Sequence, residues 1–380
     1  MFRFITLCSK AYNSQSELNY IIDYIDSASD ATIESIIEVS HREGLLPIVY
    51  KRLKDLPIES GHLLSQLKRT YLHIVQKNIL FATQLIELTN LLNENSIDVI
   101  SIKGLTLAKL AYGDITLRQF GDIDILVRES QIQKVDEILK RYGYQSLYRD
   151  GILSNQICLD KLIDIGYIYN QTILLEVHWR LLESKHNGDM ALNKPFDSTQ
   201  SIDINTTTLY TLSNELLLIY VALHGAKHAW SRIGWVCDID RLVRRGDIEW
   251  QTCIDMARES KMQQALYIGL HIAHHLYETP LPNKILITID RVNISNIALS
   301  TIDRFDKHIL ERLPISKREI FLYQMQLFES KREKFYFLLK SLFAISPADC
   351  IKFAIPSRWR FLYIIMRPYR IITKLLFGKA

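Results

Sequence analysis

The chain reads as an α+β protein, a short block of strands set between long helical segments. Three observations predict this. Apolar residues recur at helical spacing in Leu18-Ile21-Ile22-Ile25 and in Leu80-Leu85-Ile86-Leu88-Leu91-Leu92, so residues 17 to about 95 are expected to be helices. After Asn93-Glu94-Asn95-Ser96 the pattern shortens to the β-branched run Ile97-Asp98-Val99-Ile100-Ser101-Ile102, the mark of a strand. From Ser213 to about residue 278 the helical spacing returns.

Within the block, Lys103-Gly104 breaks the first strand, and Leu105-Leu107-Leu110 starts a short helix ending near Gly113. A loop from Asp114 to Gly121, carrying Arg118, leads into a strand at Asp122. Ser130 is the expected N-cap of an amphipathic helix through Ile132, Val135, Ile138 and Leu139, stopped by Gly143. Two further strands are expected at 162–169 and 173–181. Residues 284–300 fit no single pattern, 317–343 read as helix, and Pro347, Pro356 and Pro368 are expected to divide the end of the chain.

Composition sets outer limits. The 380 residues are 48% apolar and 23% charged, ordinary values for a globular protein with room for two or three domains. The five cysteines are odd in number and form no CxxC pair, which argues against a zinc ribbon or a full disulfide framework and for a reducing cytoplasm. The start, MFRFITLCSKAYNSQ, is too short and broken in its apolar patch for a signal peptide. No uncharged apolar stretch reaches the roughly 18 residues of a spanning helix. Net charge is +4, yet the residues from Lys331 to Ala380 carry +9 and the rest about −5. The basic character belongs to the tail.

The chemistry concentrates in Gly121-Asp122-Ile123-Asp124-Ile125. Residues two apart in a strand face the same way, so Asp122 and Asp124 project together while Ile123, Ile125 and Val127 turn toward a core. Two carboxylates side by side repel; a cation between them removes the conflict, and hard oxygen ligands suit Mg²⁺. That points to phosphate chemistry. Leu174-Leu175-Glu176-Val177-His178-Trp179 alternates as cleanly, with Glu176 and His178 on one face and Leu175, Val177 and Trp179 on the other. If the two strands are neighbours, three carboxylates converge.

This order (strand, Lys-Gly, short helix, Leu-Arg, Gly-Asp-Ile-Asp-Ile-Leu-Val, helix to Gly143-Tyr144, then Leu-Glu-Val-His-Trp) resembles the polymerase-β-like nucleotidyltransferase superfamily. It is closest to the bacterial branch called simply nucleotidyltransferase family proteins. The resemblance is densest over residues 99–180 and resumes at His224-Gly225-Ala226-Lys227-His228-Ala229-Trp230 through Arg232, Trp235 and Asp238. It implies a small mixed sheet with flanking helices, embedded in predominantly helical N- and C-terminal segments. It also implies transfer of an NMP group from an NTP to an acceptor, with release of pyrophosphate. Asp122 and Asp124 would hold two Mg²⁺ ions, and Glu176 would complete the metal site or accept the nucleophile's proton. Lys103 and the amides after Gly104 would contact the triphosphate, with Arg118 as a second grip on phosphate. His224, His228, Arg232 and Asp238 would contact nucleotide or acceptor. One departure is that 17 residues separate the Gly104 of Lys-Gly from Asp122, where most of the superfamily has Gly-Ser or Gly-Gly some ten residues ahead.

Other readings compete. Lys103 can be a solvated lysine, Arg118 can pair with Asp114 or Asp122, and His178 suits a packed or hydrogen-bonded position better than catalysis. His224 and His228 share a helix face, as zinc ligands do, but a zincin needs Glu where Gly225 stands. A non-catalytic nucleotide-binding or scaffold protein retaining the fold is the rival to an enzyme, and a transferase acting on RNA or a partner protein is a third reading. The basic, aromatic tail around Phe335, Leu339, Arg358, Arg360, Arg367 and Arg370 suits docking on the protein's own acidic body first. An anionic membrane surface comes second and nucleic acid last. The expected division is 1–95 helical, 96–210 nucleotidyltransferase core, 211–330 helical and 331–380 tail, in the cytoplasm or at the inner membrane surface.

Overall fold

A computed structural model describes residues 1–148, 150–181, 195–204, 206–291, 294–311, 315–328, 330–343, 345, 349–350, 353, 355, 359 and 361–377. Four helices open the chain: α1 (Phe2–Ser9), α2 (Gln15–Asp26), α3 (Asp30–Arg42) and α4 (Leu46–Lys54). Their boundaries follow local chemistry. The Ser14 hydroxyl accepts from the Glu17 amide while the Glu17 carboxylate accepts from the Ser14 amide, a capping box that starts α2. Pro47 sits in the first turn of α4, where a missing N–H costs nothing. Helix α5 (Gly61–Glu94) runs 34 residues and serves two cores. Leu63, Leu67 and Ile74 enter the helical core, whereas Phe81, Leu85, Leu88 and Leu92 enter the core behind the sheet.

The central block comprises β1 (Ile100–Ser101), α6 (Leu105–Tyr112), β2 (Ile123–Leu126), α7 (Ile132–Arg141), β3 (Gln145–Ser146), α8 (Gln156–Lys161), β4 (Asp164–Tyr169), β5 (Ile173–His178), β6 (Thr199–Ile204) and β7 (Thr207–Leu212). These strands form one mixed sheet in the order β3-β4-β5-β2-β1-β7-β6. β2 runs parallel to β5 and β1 parallel to β7; the remaining pairs are antiparallel. The mixed sheet with flanking helices is the architecture the sequence predicts. Two details differ. α7 begins at Ile132 after a 3₁₀ turn at Glu129–Gln131, so Ser130 lies inside that turn instead of capping the helix. The β6–β7 hairpin has no counterpart in the sequence reading, because β6 buries only Ile202 and Ile204 among polar neighbours.

Helices α9 (Asn214–Lys227), α10 (Ile233–Arg244), α11 (Trp250–Glu259), α12 (Gln263–Tyr277), α13 (Asn283–Arg291), α14 (Ser295–Glu311) and α15 (Lys317–Gln326) follow. Helix α9 is buried almost throughout and packs against α10, α11, α12 and β7. The ambiguous segment 284–300 thus falls largely within α13 and α14. Last come α16 (Lys331–Phe343) and α17 (Phe361–Phe377). Pro368 does not divide α17; the carbonyl it leaves unmatched belongs to Ile364, which is exposed. Part of the tail lies on the protein's own body. Phe337 stacks on Phe321, Cys350 and Ile345 join the core behind the sheet, and Asn155 donates to the Ile355 carbonyl. Phe335, Tyr336, Leu339 and Ile365 remain exposed, while Pro347, Pro356, Arg358 and Arg360 fall outside the described residues. Among the described residues no single helix is long and apolar enough to cross a membrane.

Candidate active site

The parallel pairing of β2 with β5 sets Asp124 directly opposite Glu176 and Leu126 opposite His178. Ile123, Ile125, Leu175 and Val177 fill the core behind the sheet, as alternation requires. Asp124, Glu176 and His178 therefore share the other face, toward the helices. Each offers one ligand atom within 4.8 Å of the others, a spacing that can hold a metal ion. Asp122, one residue ahead of β2, faces the same cleft but stands outside this trio.

Lys103 reaches into the cluster from the end of β1. Its Nζ lies 3.2 Å from Asp124 Oδ1 and 4.0 Å from Asp122 Oδ2, with the side chain only 16% exposed. His178 Nε2 sits 3.3 Å from Asp124 Oδ1 and 3.5 Å from Glu176 Oε2. Burial alone would raise the Asp124 carboxyl and lower the His178 imidazole. The charges invert both outcomes: Lys103 and His178 hold Asp124 well below the usual carboxylate range, and the two carboxylates push His178 up to about 9. Asp122 goes the other way, raised first by burial and then by repulsion from Asp124. Asp124 Oδ2 and His178 Nδ1 are buried with no hydrogen-bond partner among the described residues.

The cleft, about 310 Å³, has its second wall on α9. Tyr220, Leu223, His224 and Lys227 recur at helical spacing and so face the sheet together, with His228 just beyond. Burial, then the charges of Lys227 and Lys103, drop the His228 imidazole to about 4. Burial and Lys103 take His224 well below its ordinary value. Two helices feed the site from below. Asn78 of α5 donates to the carbonyls of Ile115 and Arg118, 2.8 Å each, pinning the loop that delivers Asp122. Gly104, with φ +63° and ψ −116°, turns the chain from β1 into α6, whose first amides carry no side-chain cap.

Of the residues singled out in the sequence, Asp122, Asp124, Glu176, Lys103, His224 and His228 meet at this cleft. Lys103, expected on a triphosphate, lies against the carboxylates of Asp122 and Asp124. Arg118 and Asp238 are also brought together, but with each other and away from the cleft lining. The structural partner of Arg118 is neither Asp114 nor Asp122. Arg232 starts α10, exposed and outside the lining. Sequence reasoning passed over Asp164 and Tyr220. Tyr220 stands one turn before His224, a spacing that could have flagged it; Asp164 pairs with His178 across β4 and β5 and carried no motif.

The family model described as "Uncharacterised nucleotidyltransferase" matches residues 29–278, and the chain belongs to that family. Among solved structures it is similar to an antigenic nucleotidyltransferase-like protein from Paracoccidioides brasiliensis. The two share 15% identity over 49% of this chain and 91% of that one, with a TM-score of 0.32. No curated protein matches the chain.

Proposed function

We propose that the protein transfers an NMP group from an NTP to an acceptor, releasing pyrophosphate, in a Mg²⁺-dependent reaction. The observation that carries this reading is the β2–β5 register that sets the buried Asp124 opposite Glu176, which lines the cleft. The donor set fits a divalent ion. Two carboxylates and an imidazole converge, and the buried Asp124 Oδ2 lacks any other partner among the described residues. An ion held there supplies the positive charge that phosphate oxygens and a departing pyrophosphate require.

The chain's own groups divide the remaining work. The amides at the start of α6, uncapped and turned by Gly104, bind phosphate oxygens. Lys227 adds positive charge from the opposite wall. Glu176, with 34% of its side chain exposed, takes the acceptor's proton. His224 and His228, kept neutral by burial, line the acceptor or nucleoside end. An odd number of cysteines with no CxxC pair favours a cytoplasmic site of action, where NTPs are abundant.

The test is Mg²⁺-dependent labelling of cell-extract acceptors from α-³²P NTPs, comparing wild type with the Asp122→Ala plus Asp124→Ala variant. Labelling by wild type alone supports the proposal. Equal labelling removes it, and NTP binding by calorimetry without any pyrophosphate release points to a non-catalytic nucleotide-binding protein.

A further inference from the structure

We infer that in the nucleotide-free protein Lys103 is the resident counter-ion of the Asp122–Asp124 pair, so that the protein alone holds one divalent cation, at Asp124, Glu176 and His178. This rests on the metal-dependent reading above and departs from a two-ion site assembled before substrate arrives. The geometry is direct. The Lys103 ammonium lies 3.2 Å from Asp124 Oδ1 and 4.0 Å from Asp122 Oδ2, so its charge is set against both carboxylates. The opposite side of Asp124 is different: Oδ2 is buried and unpartnered among the described residues. One carboxylate thus offers one oxygen to an internal cation and keeps the other for an external one.

Charge balance gives the same answer. Asp122, Asp124 and Glu176 bring three negative charges and Lys103 returns one, so with the His178 imidazole neutral as a ligand a single divalent ion neutralises the remainder. A second divalent ion would have to sit against the ammonium, with nothing to screen their repulsion in a largely buried site. Substrate phosphates change this balance. Lys103 lines the cleft and is tethered by a flexible stem, so a triphosphate could draw it off the aspartates, which would then be open to a second cation. Lys103 then acts as a positioning residue that couples nucleotide arrival to completion of the metal site.

The experiment titrates Mn²⁺ into nucleotide-free protein and follows it by electron paramagnetic resonance and calorimetry, for wild type, Lys103→Met and Lys103→Arg. The expected result is one Mn²⁺ without Mn–Mn coupling in wild type and in the Arg variant. The Met variant should bind Mn²⁺ roughly tenfold tighter or more and gain a second, spin-coupled ion. Two coupled ions in wild type, or a Met variant that binds like wild type, overturns the inference and leaves metal-dependent transfer standing. No Mn²⁺ bound by any nucleotide-free form overturns the inference, and no Mn²⁺ bound after an NTP is added removes the metal-dependent reading as well. Should Lys103→Met fail to fold, as circular dichroism would show, the wild-type and Lys103→Arg stoichiometries decide alone.

Discussion

Arg118 and Asp238 meet in a two-pronged ion pair, Nε to Oδ1 at 2.9 Å and Nη2 to Oδ2 at 3.0 Å, with the Tyr112 hydroxyl donating to Oδ1 at 2.7 Å. Asp238 is almost fully buried, so the pair ties the loop before β2 to helix α10 in a place water does not reach. Removing one partner strands a buried charge. Arg118→Met should therefore cost about 3–5 kcal/mol in chemical denaturation. Combining it with Asp238→Leu should cost less than the sum of the single changes, because neither charge is then left alone. A phosphate-gripping arginine would behave oppositely: NTP affinity would fall while the denaturation midpoint held.

Gly225 makes room for Trp230. A Cβ at Gly225 would lie 2.3 Å from the indole, and one at Gly269 of α12 would lie 2.8 Å from it. The ring is wholly buried between these helices, its Nε1 donating to Tyr323 at 2.9 Å. Gly225→Ala is expected to destabilise by about 1–3 kcal/mol through overpacking. Because His224 and His228 flank that position, near-ultraviolet circular dichroism of Trp230 and thermal melting should change together. A melting temperature equal to wild type would show that the indole has space the structure does not give it.

Gly104 is constrained by conformation instead of by space. A Cβ there meets nothing closer than 3.6 Å, but φ +63° with ψ −116° is a region that L side chains avoid. Gly104→Ala should cost about 1–3 kcal/mol and shift Lys103, the preceding residue, off Asp124. Unfolding midpoints measure the first effect, and a crystal structure of the variant measures the second.

How much of this was legible depended on the distance over which each cause acts. Strict alternation fixed which faces of β2 and β5 carry Asp124 and Glu176, since a period of two leaves one arrangement that buries Ile125 and Val177. Their adjacency came from resemblance, not from pattern. The Arg118–Asp238 pair joins residues 120 apart, and no local signal distinguishes that arginine from one aimed at phosphate. The Lys103 contacts were hidden for a related reason: a lysine after a strand looks the same whether its partner is a triphosphate or the neighbouring carboxylates. Gly225 entered the sequence reading only as a residue that spoils a zinc motif; its actual cause, Trp230, stands five residues on and folds back over it. The β6–β7 hairpin hid because its buried residues are few.

Stability against pH should form a dome centred near 6.5 in chelator-treated protein, with its two limbs set by different histidines. His228 is held at about 4 and His224 well below its ordinary 6.5, chiefly by burial and then by the lysines beside them. Between about 6.5 and 4 the unfolded chain binds protons these imidazoles refuse in the fold, so stability falls as the pH falls through that window. His178 has the opposite sign. Hydrogen bonds to Asp124 and Glu176 overcome burial and raise it to about 9, so its contribution is complete below 6.5 and is lost as pH rises toward 9. Urea midpoints measured from pH 4 to 9 should therefore decline on both sides. His228→Gln should make the acid limb shallower, leaving the part that His224 sets, and His178→Gln should flatten the alkaline limb alone. An alkaline limb that survives His178→Gln would mean that this imidazole does not carry its proton between the two carboxylates.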